Sequence, residues 1–79
     1  MLEELKDTQR VVGVKQVRRT LCAREAKKLF VARDADPALT GPLTELAREQ
    51  GLAVEEAPTM KALGQACGIA VGAACCATL

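Results

Sequence analysis

Gly13 separates a short apolar run from an amphipathic segment, and this arrangement constrains the chain more than any other feature. The pair Val11–Val12 precedes the glycine and predicts a short buried strand. After it, Val14, Val17 and Leu21 recur at the spacing of one helical face. The other face carries Lys15, Arg18, Arg19 and Cys22. Because a helix N-terminus attracts phosphate, the segment predicts a helix start that contacts RNA; a solvated surface helix is the alternative.

The distribution of charge favours the RNA-binding interpretation. Residues 10–33 hold eight Lys or Arg against a single acid, Glu25, for a net charge of +7. Residues 34–79 hold two basic and six acidic side chains, for a net charge of −4. A basic end on a small domain would steer and hold a polyanion, while the acidic end would limit indiscriminate binding.

Composition excludes several classes of function. The chain of 79 residues is long enough for one domain, 1–79, with a modest core. Phe30 is the single aromatic residue, so modules that stack bases on exposed rings are excluded. The absence of His removes His-based acid–base and nucleophile chemistry, and we expect a protein that is not an enzyme and needs no cofactor. No apolar run reaches the length of a membrane span and the N-terminus does not resemble a signal peptide, which predicts a cytoplasmic protein without membrane contact.

The chain alternates helix and strand from end to end. The predicted elements are a short helix or tail over Leu2–Thr8, a strand Arg10–Gly13, a helix from Val14 to about Cys22, a strand Lys28–Ala32, a helix from Pro37 to Gln50 capped by Asp36, a strand Leu52–Ala57, a helix from Met60 to Gly68 capped by Thr59, and a strand Ala73–Leu79. The last strand is apolar on both faces, which predicts a central or covered position. The pattern predicts an α/β fold in which helices sandwich a small sheet.

The segment Ile69–Gly72 is an uncharged apolar loop between the last helix and the last strand. It could lie against the core. An exposed apolar loop, however, often marks a binding surface, and this one could contact an unstacked base. We expect its side chains to be partly exposed in the free protein.

Four cysteines, Cys22, Cys67, Cys75 and Cys76, show no paired metal-ligand spacing. In a cytosolic protein they are expected to be small buried hydrophobic residues with free thiols rather than metal ligands or disulfides. No metal site is predicted.

Three motifs together resemble the small kink-turn-binding ribosomal protein family, and most closely its bacterial YbxF-like branch. They are the segments 13–19 (GVKQVRR), 31–37 (VARDADP) and 60–74 (MKALGQACGIAVGAA), in the family's order and spacing. The resemblance implies a three-layer α/β/α sandwich with a small mixed sheet. It also implies binding to kink-turn RNA, a sharply bent helix–bulge–helix built on tandem sheared G·A pairs.

In that family the start of a helix enters the widened major groove at the G·A pairs, and an apolar loop packs against bases extruded from the bulge. Carried over by position, Gly13 would let the backbone approach, and Lys15, Gln16 and Arg19 would read the guanines. Other branches favour Asn-Glu where this chain has Lys15-Gln16 and an acidic residue where it has Ala70, so the details of base reading would differ.

The complete set of candidate RNA contacts combines this resemblance with the basic segment. It comprises Gly13, Val14, Lys15, Gln16, Arg19, Lys27, Lys28, Arg33, Lys61, Ile69, Ala70 and Val71. The expected partner is a structured RNA, a kink-turn in ribosomal RNA or an mRNA leader, bound by a monomer that is ribosomal or ribosome-associated. Two alternatives are a regulatory or scaffolding domain that binds protein through its Ala/Cys-rich tail or acidic half, and a thiol-dependent redox or metal protein.

Overall fold

The computed structural model describes residues 8–79, which form four strands and three helices. The elements are β1 (Arg10–Val12), α1 (Val14–Cys22), β2 (Lys28–Ala32), α2 (Pro37–Glu49), β3 (Ala53–Ala57), α3 (Met60–Ala66) and β4 (Cys75–Thr78). The helix or tail expected at the N-terminus lies outside the described residues apart from Thr8.

The four strands make one mixed sheet in the order β1-β4-β2-β3. β2 and β3 are parallel, whereas β4 is antiparallel to both of its neighbours, with Cys76 opposite Val12 on one side and Phe30 on the other. All four residues of β4 are buried. The prediction of a central or covered last strand is therefore confirmed.

Helices cover both faces of this sheet, as expected for the three-layer α/β/α sandwich. On one face, α1 and α2 pack through Val17, Leu21 and Leu43 against Leu29 and Cys75. The opposite core lies under α3 and contains Phe30, Ala32, Ala57, Leu63, Cys67 and Cys76. The alternation of sides along β2 follows from the period of two residues in a strand.

Local signals set the helix ends. The Asp36 carboxylate accepts a hydrogen bond from the Ala38 amide at 2.9 Å, and the Thr59 hydroxyl accepts one from Ala62 at 3.0 Å. Both predicted caps are thereby confirmed. Gly51, directly after the last turn of α2, has φ +73°, a conformation that glycine adopts without strain.

Two strands begin later than the sequence pattern predicts. The Leu52 amide donates to Ala47 at 2.9 Å and closes the end of α2, so β3 starts at Ala53. The Ala73 amide donates to the Met60 carbonyl at 3.0 Å, so β4 starts at Cys75. In each case an apolar residue is engaged by a helix rather than by the sheet.

Candidate nucleic-acid interface

One end of the sheet collects the start of α1 and the apolar loop. β1, β2 and β3 run in the same direction, so their carboxyl ends lie together with the amino end of β4. Gly13 follows β1 and donates its amide to the Cys75 carbonyl at 3.1 Å. Arg33 follows β2 and donates its amide to the Ala57 carbonyl at 2.9 Å. All three helices therefore begin at this end, with their partial positive charges toward it.

Gly13 holds a backbone conformation that other residues rarely adopt. Its φ is +98° and its ψ is 152°, and this turn redirects the chain from β1 into α1. A Cβ added here would meet no atom of the described chain within 4 Å. Glycine is thus required by the backbone rather than by a neighbouring group, and the space in front of it is open. Within residues 8–79 no side chain caps α1, so the amides of its first turn face that space.

The polar face of α1 is exposed and available. Val17, Thr20 and Leu21 are buried, which turns the remaining face of the helix outward. The side chains of Lys15, Gln16, Arg18 and Arg19 are exposed, and none forms a hydrogen bond or ion pair within the described part of the chain. The helix start therefore offers the side-chain amide of Gln16 and three cationic side chains as hydrogen-bond donors to an external acceptor. Val14, also a candidate contact, is half-buried and packs against the core beneath α1.

The apolar loop, Ile69–Gly72, returns along α3 after a turn at Gly68, where φ is +77°. The Ile69 amide donates to the Gly64 carbonyl at 3.0 Å. Ile69 is half-buried and packs against the α3-side core, whereas Ala70 is exposed and Val71 is 70% exposed. The predicted partial exposure is confirmed, but Ile69 contributes to the core as well as to the surface.

The structure separates the other predicted contacts into two groups. Arg33 and Lys61 are exposed at the end of the sheet where β1, β2 and β3 finish, close to the starts of α2 and α3. Lys27 and Lys28 lie at the opposite end, where Lys28 is opposite Thr78. Lys28 is half-buried, its Nζ is 3.4 Å from a Glu55 carboxylate oxygen, and the same atom lies 4.9 Å from the centre of the Phe30 ring. This separation follows from the register of the strands and is not visible in the sequence pattern.

Two residues that support the loop were not among the predicted site residues. The Asp34 carboxylate accepts a hydrogen bond from the Met60 amide at 2.7 Å and so joins the turn after β2 to the start of α3. Gly64 packs directly against the Val71 carbonyl, where no Cβ could fit. Both lie within the motifs that carry the family resemblance, which was the available signal.

Burial disfavours the reactive thiolate form of the two cysteines in β4. Burial raises the pKa of the Cys75 thiol to about 11. Burial, together with a hydrogen bond that the Cys76 thiol donates to Cys67, raises the pKa of Cys76 further. Residues 8–79 contain no group of three or more His, Cys, Asp or Glu side chains that could hold a metal ion. The expectation of burial is wrong for Cys22, which is exposed because it follows Leu21 onto the outward face of α1.

The other alternative function was a domain that binds protein through its Ala/Cys-rich tail or its acidic half. The Ala/Cys-rich tail forms β4, whose four residues are buried at the centre of the sheet, and this burial argues against the tail as a surface for a protein partner. Of the helices in the described region, none is both long and apolar enough to cross a bilayer.

A profile of the Ribosomal protein L7Ae/L30e/S12e/Gadd45 family matches residues 2–79. An RNA-binding protein of Bacillus pumilus (strain SAFR-032) is 46% identical over 69 residues, which cover 87% of this chain and 84% of that protein. The RNA-binding protein YbxF of Geobacillus stearothermophilus is 44% identical over 69 residues, with the same shares of 87% and 84%.

A solved structure supports the fold. The Giardia lamblia 15.5kD RNA binding protein superposes with a TM-score of 0.81 at 20% sequence identity, covering 98% of this chain and 63% of that chain. At this identity the likeness shows the shared architecture.

Proposed function

Because this chain belongs to the ribosomal protein L7Ae/L30e/S12e/Gadd45 family, we propose that it is a non-catalytic RNA-binding protein whose target is kink-turn RNA. The family assignment confirms the resemblance drawn from the sequence motifs. Curated relatives with 44% and 46% identity are named RNA-binding proteins, which supports RNA as the partner of this chain too. The proposal includes a cytoplasmic monomer that binds ribosomal RNA or an mRNA leader.

The observation that carries the proposal is the open approach to the start of α1. Gly13 presents bare backbone, and the exposed Lys15, Gln16 and Arg19 side chains follow it with no competing partner in residues 8–79. Sheared G·A pairs widen the major groove of a kink-turn enough to admit a helix end. The N-terminal amides and partial positive charge of α1 would meet phosphate there.

The three side chains have distinct chemical capacities for reading bases. The Gln16 amide both donates and accepts, so it can pair with a guanine edge from either side. Arg19 can donate two parallel hydrogen bonds to the O6 and N7 atoms of a guanine. Lys15 donates only, and it suits a phosphate or a single acceptor. Arg33 and Lys61 lie outside this set and would contribute to attraction of the phosphate backbone.

The apolar loop supplies the second half of the site in this proposal. Val71 and Ala70 are exposed to solvent, and Ile69 anchors the loop to the core. Bases extruded from the bulge of a kink-turn present unstacked faces that need apolar contact. The loop would cover such a base while α1 reads the adjacent pairs.

The test compares two RNAs of equal length, one with a kink-turn and one in which Watson–Crick pairs replace the sheared G·A pairs. We expect Gln16→Ala to weaken binding to the kinked RNA by about 1–3 kcal/mol and to reduce its preference over the duplex. Lys27→Ala is the matched control, because it removes charge at the opposite end of the sheet and should weaken both RNAs alike. The proposal fails if wild-type protein shows no preference for the kinked RNA. An unchanged preference in Gln16→Ala would remove α1 as the reader.

A further inference from the structure

Arg10 connects the first strand to the far end of the third helix. Its Nη2 atom donates to the Cys67 carbonyl at 2.6 Å, across 57 positions of sequence, and its Nη1 atom donates to the Thr8 carbonyl at 3.1 Å. The side chain is half-buried, so solvent competes less for these bonds than at an open surface. One planar guanidinium thus holds two carbonyl groups from different parts of the chain.

The carbonyl that Arg10 holds lies where the apolar loop begins. Cys67 caps the C-terminus of α3, and Gly68 then turns the chain at φ +77° into the loop. A Cβ on Gly68 would sit 3.6 Å from Nη2, so the guanidinium lies directly beside this turn. Carbonyls at a helix C-terminus carry partial negative charge, which makes the bond to a cation favourable.

Arg10 also stands three residues before Gly13 on the same strand and turn. β1 therefore connects to both halves of the proposed interface. Its end leads into α1, and its first residue, Arg10, bonds the chain where the apolar loop begins. Val12, between them, packs with Ile69 against the α3-side core.

We propose that Arg10 is a positioning residue that fixes the apolar loop relative to the start of α1, so that both can engage one RNA. This inference rests on the proposed function. The other role for a cation in the basic segment is a direct phosphate contact, and the two roles predict different behaviour. A phosphate contact depends on charge and acts on all RNAs, whereas positioning depends on the forked donor geometry and acts on the RNA that uses the loop.

The experiment uses Arg10→Met, which keeps an aliphatic stem without donors, and Arg10→Lys, which keeps the charge without the fork. Val54→Ala is the matched control for lost stability, because Val54 is half-buried on β3, at the sheet edge opposite β1. Amide hydrogen exchange without RNA, affinity for the kinked and duplex RNAs, and the salt dependence of affinity are measured on each folded variant.

In Arg10→Met we expect the Gly68 and Ile69 amides to exchange about tenfold faster than in wild type, with the amides of β2 little changed. Affinity for the kinked RNA should fall about tenfold, with little change for the duplex and an unchanged salt slope. Arg10→Lys should recover less than half of the lost binding free energy, and Val54→Ala should leave the ratio of affinities at the wild-type value.

Three results would overturn the inference. Unchanged exchange at Gly68 and Ile69 would show that Arg10 does not hold the loop, whatever RNA the protein binds. Faster exchange with undiminished affinity for the kinked RNA would show that the position of the loop does not matter for RNA recognition. Full rescue by Arg10→Lys, with a salt slope in Arg10→Met smaller by about one, would assign Arg10 a phosphate contact. If wild-type protein lacks the preference for kinked RNA, the proposed function fails, while hydrogen exchange still decides whether Arg10 holds the loop.

Discussion

Replacing Gly64 by Ala tests how tightly the apolar loop is packed on α3. Gly64 lies inside α3, where Ala would ordinarily stabilise the protein by about 0.5–1 kcal/mol because it restricts the unfolded backbone. Here the added Cβ would clash with the Val71 carbonyl, a backbone atom that no rotamer change can move aside. The carbonyl would have to withdraw by more than about 1 Å to reach normal van der Waals contact.

Two hydrogen bonds resist that withdrawal, one on each side of Val71. The Ile69 amide donates to Gly64 at 3.0 Å, and the Ala73 amide donates to Met60 at 3.0 Å. Overpacking costs about 1–3 kcal/mol, and weakening either hydrogen bond adds to it by up to about 1 kcal/mol. These costs exceed the gain in helix propensity. We therefore expect Gly64→Ala to lower the free energy of unfolding by about 1–3 kcal/mol, or Tm by about 4–8 °C for each kcal/mol.

The matched control is Gly41→Ala in α2, where a Cβ would meet nothing within 4 Å. Its gain in helix propensity is partly offset because Pro42 follows, and proline disfavours helical backbone in a preceding residue that has a Cβ. Gly41→Ala should thus stay within about 1 kcal/mol of wild type. Urea and thermal unfolding, followed by circular dichroism, give both values. Equal stability of the two variants would refute the argument that the loop is fixed against α3.

Two further predictions concern the loop and the buried thiols. Val71→Asp should change the free energy of unfolding by less than about 0.5 kcal/mol because the side chain is mostly exposed, and it should weaken binding to kinked RNA about tenfold. Ile69→Asp should weaken binding and, in addition, lower the stability of the protein, since Ile69 packs on the core. If both variants lost stability while their folded fractions kept full affinity for the RNA, base contact by the loop would be contradicted. Because burial raises the pKa of Cys75 from 9.0 to about 11, the unfolded chain loses this proton first, so the free energy of unfolding should fall as pH rises from about 9 to 11. Urea titrations across that range in reducing buffer would measure the fall, and an equal fall in Cys75→Ala would assign it to other groups.

Elements and caps could be predicted from the sequence because their signals are local. β2 spans Lys28–Ala32 as predicted. Asp36 and Thr59 cap their helices because a short polar side chain at this position accepts a hydrogen bond from an otherwise unpaired amide of the first turn. The exposed polar face of α1 follows in the same way from helical periodicity. Whether its residues contact RNA remains a prediction.

The remaining features depend on contacts between distant parts of the chain, which leave no periodic pattern. The separation of Lys27 and Lys28 from Gly13 follows from strand register, and the bond from Arg10 to Cys67 joins residues that share no motif. Gly64 was visible only as part of a recognised motif, and the sequence did not reveal that the Val71 carbonyl occupies the space a side chain would need.

The central position of β4 has a consequence for when the proposed RNA-binding site can form during synthesis. β1 and β2 are not neighbours, and β4, the last strand of the described chain to be made, supplies the hydrogen bonds that join them. The Gly13 amide, at the start of the proposed reading helix, is itself held by Cys75. A nascent chain that ends before β4 lacks these hydrogen bonds, so we expect the proposed RNA site to take its final form only after β4 has been translated.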